Sequence, residues 1–214
     1  MKYIPYLINV LQLITAVIAL VNYKKYKFST EKYFLPFLWI VFILDFSCGI
    51  LADLYSFNIY LIYNIFIGIS FIFYYNWYYS ILLRELHKKL TLFFAFIFVI
   101  VIITNFILNK NDEFLDYSFV TGAIFIVILT GFYFYELANT DSIFSIKYKL
   151  SFWIALAIIL FYVGMIPFML LSKYFNLAFE ANDTFIIILI SLNMILYCFY
   201  IIGFLWTKKK YNHF

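Results

Sequence analysis

Seven apolar stretches, each long enough to cross a bilayer as a helix, constrain this chain more than any other feature. They run over 4–21, 34–54, 60–83, 90–108, 118–137, 151–171 and 184–206. A helix needs about 20 mostly apolar residues to cross the hydrocarbon core, whereas a barrel strand uses about 9–11 of alternating polarity. Uniform runs of this length read as helices, which satisfy their own backbone hydrogen bonds in lipid. The expected fold is all-α, a polytopic seven-transmembrane-helix bundle occupying 1–214 as a single membrane domain. The loops and tails between the runs are too short for a separate soluble domain. Composition agrees, with 67% hydrophobic and 12% charged residues and a mean hydropathy of +0.99. A soluble domain is about 45–50% apolar and about 25% charged. An ordinary soluble protein, a disordered chain and a nucleic-acid-binding domain are thereby excluded.

The basic residues set the expected orientation. None of the 15 lies inside an apolar run. Twelve fall on one side: Lys24, Lys25, Lys27 and Lys32; Arg84, Lys88 and Lys89; Lys147 and Lys149; and Lys208, Lys209 and Lys210. The other side holds Lys2, Lys110 and Lys173, with the acidic Asp112, Glu113, Asp116, Glu180 and Asp183. Cytoplasmic loops carry the Lys/Arg excess. The N-terminus is therefore expected outside and the C-terminus in the cytoplasm, in a bacterial inner membrane. The first run is read as a retained helix, because its stronger basic cluster follows it rather than precedes it. The net charge of +4 is accordingly a topology signal and not the footprint of a nucleic-acid partner. The inner lysines read as orientation anchors close to lipid headgroups.

Aromatic residues make up 25% of the chain. The run of Tyr74, Tyr75, Trp77, Tyr78 and Tyr79 falls near the inner end of its span and reads as an interfacial belt. Cys48 and Cys198 lie at different depths in their spans. They are expected to be reduced and buried.

Charges inside a bilayer are expensive and default to functional candidates. Asp45 is the clear case, at the middle of the second run. Gly49, Ala52 and Asp53 follow it at helical spacing and form a small, polar stripe that should face the bundle interior. With no Lys, Arg or His in any run, Asp45 must either carry a proton or neutralise a bound cation. Tyr162, Asn193 and Tyr197 lie at comparable depth, so Asp45, Tyr162, Asn193 and Tyr197 form the candidate ligand- or cation-binding layer. Glu136 sits at the inner end of its run, within reach of water.

No catalytic residue, cofactor or metal site is expected. The two histidines, His87 and His213, fall in a loop and a tail. Asp45 and Asp53 are about 12 Å apart along one helix, too far to share a proton. Two functions remain. One is a non-enzymatic sensor or accessory subunit that signals through a cytoplasmic or membrane protein partner. The other is a proton- or cation-coupled carrier of a small solute. For the carrier, Leu38-Trp39-Ile40 with Gly49 and Phe152-Trp153-Ile154 with Gly164 hint at a 3+1+3 helix repeat.

The chain also resembles small seven-helix integral membrane proteins of Bacteroidota, a group without settled biochemistry. The likeness rests on Tyr63-Asn64-Ile65-Phe66 leading into the aromatic run 73–79. It rests further on Phe152-Trp153-Ile154 with Phe161-Tyr162, and on Asn193 through Trp206. The resemblance implies a membrane location and tilts the role toward a sensor or accessory subunit.

Overall fold

In a computed structural model, residues 4–55, 59–108, 114–139, 143–174 and 183–212 are described. Among them lie seven α-helices and no strand: α1 Ile4–Val21, α2 Phe34–Tyr55, α3 Tyr60–Ile81, α4 Glu85–Leu108, α5 Asp116–Ala138, α6 Leu150–Tyr174 and α7 Asp183–Trp206. Short 3-10 turns cover Tyr23–Lys25, Thr30–Tyr33, Ile143–Tyr148 and Lys209–Tyr211. Five segments are long and apolar enough to cross a membrane: Thr30–Ala52, Glu85–Leu108, Asp116–Ala138, Leu150–Leu170 and Ile186–Trp206. They mark an integral membrane protein. Apolar Tyr6–Val21 is shorter, and the many tyrosines of α3 lower its hydropathy.

The solvent of the outer surface can be read from what it exposes. Leu92, Phe93, Phe96, Ile100, Ile103 and Ile107 form an open apolar face along α4, and Leu7, Val10, Ile14 and Val17 do the same on α1. Monomers in water rarely leave such faces uncovered. Lipid tails cover them without a hydrophobic penalty.

Helix boundaries follow local chemistry. Pro5 and Pro36 fall in the first turns of α1 and α2, where a missing N–H removes no intrahelical bond. α4 begins at Glu85, five residues ahead of the expected start at 90. Its first turn is polar and so escapes a hydropathy reading, yet it is capped from another helix, as described below.

The helices pack in the sequence α2, α1, α7, α6, α5, α4, α3, and α3 returns against α5. α6 and α7 make the most extensive pairing. It is tight because glycines replace side chains at the crossing: a Cβ on Gly203 would meet Trp153 Cβ at 2.6 Å. α2 and α3 meet mainly through rings, with Phe37 stacked on Phe73 at 4.2 Å. The close α6–α7 pairing thus has no counterpart of similar extent between α2 and α3, the positions a 3+1+3 repeat would equate.

The aromatic run of α3 is a correction to the interfacial-belt expectation. Tyr74, Tyr75, Trp77 and Tyr78 are buried and only Tyr79 is exposed. α3 is flanked by α4, α5 and the Thr30–Tyr33 turn, so its rings fill the core. Cys198 is a second correction, being exposed while Cys48 is buried, and both are free thiols. His87 lies in the first turn of α4 and is buried, not in an open loop. Lys2, Lys110, Asp112, Glu113, Glu180 and His213 lie outside the described residues, as does the side chain of Asp53.

Candidate functional site

The loose contact between α2 and α3 leaves room, and the small stripe of α2 faces it. Asp45, Gly49 and Ala52 line a cavity of about 620 Å³ among α1, α2, α3, α5, α6 and α7. That volume lies within the range of small-molecule sites, about 300–1,000 Å³. A Cβ on Gly49 would meet nothing within 4 Å, so glycine here adds to the space rather than permitting a helix crossing. All four candidate residues, Asp45, Tyr162, Asn193 and Tyr197, lie on the wall.

Tyr6, Ala52, Ile59, Tyr60 and Phe114 border the cavity where α1, α3 and α5 begin and α2 ends. It runs inward to Phe37, Tyr74 and Tyr200. Beyond them the bundle closes with fully packed rings. Phe34 contacts Trp77 at 5.1 Å and Tyr200 at 6.3 Å, and Tyr26 contacts Phe204 at 5.3 Å. Tyr78 shares a short hydrogen bond with Thr130 at 2.5 Å on the same level.

Asp45 does not bond to Tyr162 or Asn193, the partners its depth predicts. Its donor is Gln12 in the middle of α1, whose Nε2 donates to Asp45 Oδ2 at 2.5 Å. The same nitrogen donates to the Tyr197 hydroxyl at 3.1 Å. The Tyr63 hydroxyl on α3 also interacts with the carboxylate. Asn193 instead donates to Leu189 O in its own helix at 2.8 Å, as mid-helix amides do when no tertiary partner is nearer. Tyr162 contributes its ring, 5.5 Å from Phe71 and 6.3 Å from Tyr74. Four helices, α1, α2, α3 and α7, therefore converge on one carboxylate.

Gln12 is 2% exposed and its Oε1 has no hydrogen-bond partner. A carboxylate can only accept, so it takes the amide nitrogen. A protonated Asp45 can donate, and a turned amide would offer it the oxygen. The Gln12–Asp45 pair can thus serve either state by turning one side chain. Gln12 is the chain's one glutamine, and its place in an apolar run was the signal that could have found it.

Two other carboxylates lie outside this cavity. Glu136 on α5 is buried, not open to water as expected. It accepts from the backbone N–H groups of Leu83 at 2.6 Å and Arg84 at 3.0 Å, and contacts His87 Nδ1 at 2.6 Å. These amides precede α4, so Glu136 caps a neighbouring helix and offsets its N-terminal dipole. His87 in turn stacks on Phe132 at 4.5 Å. Glu31, in the turn Thr30–Tyr33, is 2% exposed. It lies beside Ser29 and Trp77, and the charge of the Lys149 ammonium acts on it. Burial lowers the pKa of Lys149, and the charge of Glu31 works against that shift. In sequence Glu31 sits among lysines and reads as a solvated charge.

Among the described residues no three His, Cys, Asp or Glu side chains come together to hold a metal ion. No family model, curated protein or solved structure matches the chain.

Proposed function

We propose that the protein is a non-enzymatic membrane sensor that admits a small, largely apolar ligand with one polar or cationic group. The cavity among α1, α2, α3, α5, α6 and α7, with Asp45 on its wall, carries this reading. Aromatic side chains would hold the apolar body, and the Asp45 carboxylate would take the polar group. A ligand donor that displaces Gln12 from Asp45 frees the amide toward Tyr197 alone, which changes the contact between α1, α2 and α7. The topology of the reading is seven spans, with the Tyr6 and Tyr60 end of the cavity outside and the basic end in the cytoplasm of a bacterial inner membrane. The output then passes to a protein partner at that basic end.

A carrier of a small solute, coupled to a proton or cation, is the second reading. The observation that favours it is the mid-helix depth of Asp45 in a cavity, where a coupling ion is expected. One experiment separates the two. The full chain, tagged at the C-terminus, is purified gently from its native membrane, and in parallel reconstituted into proteoliposomes. A partner that co-purifies with wild type and is lost with the cavity-filled Ala52→Phe variant supports the sensor. Recovery of the bare protein, together with proton flux that Asp45→Asn abolishes, supports the carrier and overturns the sensor.

A further inference from the structure

The end of the bundle where α1 and α7 terminate carries a second concave surface, and its chemistry is of the opposite kind. Lys25, Lys147, Lys208 and Lys209 line a space of about 630 Å³ with Tyr148 and Trp206. The lysines come from three separate segments: the turn after α1, the turn Ile143–Tyr148 and the tail after α7.

We propose that this surface binds the phosphate of an anionic phospholipid headgroup. Among the described residues no carboxylate lines it. The close contacts of Lys88 with Glu85 and of His87 with Glu136 do not use these lysines. Their partners are neutral. Lys25 Nζ donates to Leu205 O at 3.1 Å, and the Lys208 ammonium lies 3.9 Å from the Tyr148 ring centre. Four like charges on one rim repel each other until an anion joins them.

The site is built, not a loose basic tail. Asn212 is buried, and its Oδ1 accepts from the Leu150 N–H at 3.1 Å, capping α6. Its Nδ2 donates to Thr207 Oγ1 at 2.5 Å and to Lys208 O at 3.1 Å. The Lys208 N–H donates to Tyr148 O at 3.2 Å. These bonds fix the tail against the loop, so Lys208 and Lys209 face Lys25 and Lys147. Orientation anchors need only lie on the correct side of the membrane. They do not need a buried asparagine to aim them.

The phosphate could come from a lipid or from solution, and the position of the rim argues for lipid. Leu205 and Trp206 are exposed at 50% and 53% where α7 ends. An open tryptophan at a span terminus marks the level where hydrocarbon meets headgroups. Basic pockets at this level take anionic headgroups.

The test is native mass spectrometry of the full chain in detergent, supplied with phosphatidylglycerol or phosphatidylcholine. Wild type should retain phosphatidylglycerol preferentially. The variant Lys147→Gln/Lys208→Gln/Lys209→Gln should retain it about tenfold less or weaker still. The variant Lys24→Gln/Lys88→Gln/Lys89→Gln, with the same change in net charge, should match wild type. Equal retention by all three proteins, or equal loss in both variants, overturns the proposal. So does displacement of the lipid by millimolar inorganic phosphate, which would assign the site to a soluble ligand. Because lysines also guide insertion, wild type alone is cross-linked with a photoactivatable phosphatidylglycerol. Adducts on 143–148 and 205–210 are expected, and adducts spread evenly over the other lysine loops count against the site.

Discussion

Gln12 Nε2 donates to Asp45 Oδ2 at 2.5 Å, joining the middles of α1 and α2. In a low-dielectric interior such a bond is stronger than in water, and its loss leaves a polar group without a partner. Asp45→Asn should preserve the fold, because an amide retains an acceptor and adds a donor. Gln12→Leu and Asp45→Leu should each destabilise by about 1–3 kcal/mol. The double variant should lose less than the sum, since each single change already removes the bond between the two side chains. Thermal unfolding in detergent measures all four proteins. Additive losses would mean that the two side chains do not depend on each other.

How legible this arrangement is in sequence differs by level. The helices were readable because lipid allows few alternatives, and the observed boundaries lie close to the apolar runs except at α4. Asp45 was readable as well, since a mid-span carboxylate has a large energetic cost wherever it faces. Its partner was not. Depth alone offered Tyr162 and Asn193, but which helix stands beside α2 is a packing result, and α1 does. The burial of Tyr74, Tyr75, Trp77 and Tyr78 was hidden for the same reason. Tyrosine suits both an interface and a polar core, and only the central position of α3 decides. Glu31 shows the limit from the other side, for its lysine neighbours in sequence are not its neighbour in space, Lys149.

Glu136 is expected to act through the backbone of α4. Glu136→Ala leaves the Leu83 and Arg84 amides without their acceptor, and each orphaned group costs about 1–3 kcal/mol. His87→Ala removes one contact and leaves both amides capped, so its loss should be smaller. Amide hydrogen exchange at Leu83 and Arg84 provides the discriminating readout. It should accelerate in Glu136→Ala and stay near wild type in His87→Ala. Equal acceleration in both variants would assign the cap to the pair instead of the carboxylate.

Lys149→Met should destabilise modestly, by about 1 kcal/mol or less, because it removes the attraction of a half-buried ammonium for the buried Glu31 carboxyl without breaking a direct ion pair. Glu31→Gln added to Lys149→Met should recover part of that loss, since a neutral amide no longer needs a counter-charge. A double variant no more stable than Lys149→Met would show that the lysine matters only through its packing.

The Lys/Arg distribution predicts a C-terminus in the cytoplasm. Reporter fusions at residue 212 should show cytoplasmic activity, and fusions at the α4–α5 connection should show activity on the other side. Periplasmic activity at 212 would invert the bundle and place the lysine-lined surface outside.

Gly49 and Gly203 should respond oppositely to the same substitution. Both are helical, and alanine removes part of the conformational cost of glycine, about 0.5–1 kcal/mol. At Gly49 a Cβ enters the cavity and meets nothing within 4 Å, so Gly49→Ala should raise the unfolding temperature. At Gly203 it meets Trp153 Cβ at 2.6 Å and Leu150 Cδ1 at 3.2 Å. Trp153 Cβ is bonded directly to the backbone, so no rotamer moves it aside, and α6 and α7 must separate. Gly203→Ala should therefore lower stability by about 1–3 kcal/mol despite its better helix propensity. Gly49→Leu extends the contrast by filling the cavity without touching a helix crossing. It should fold at least as well as Gly49→Ala yet lose partner recovery or proton flux, whichever the wild type shows. A Gly49→Leu protein with full activity would mean that the function does not use this cavity.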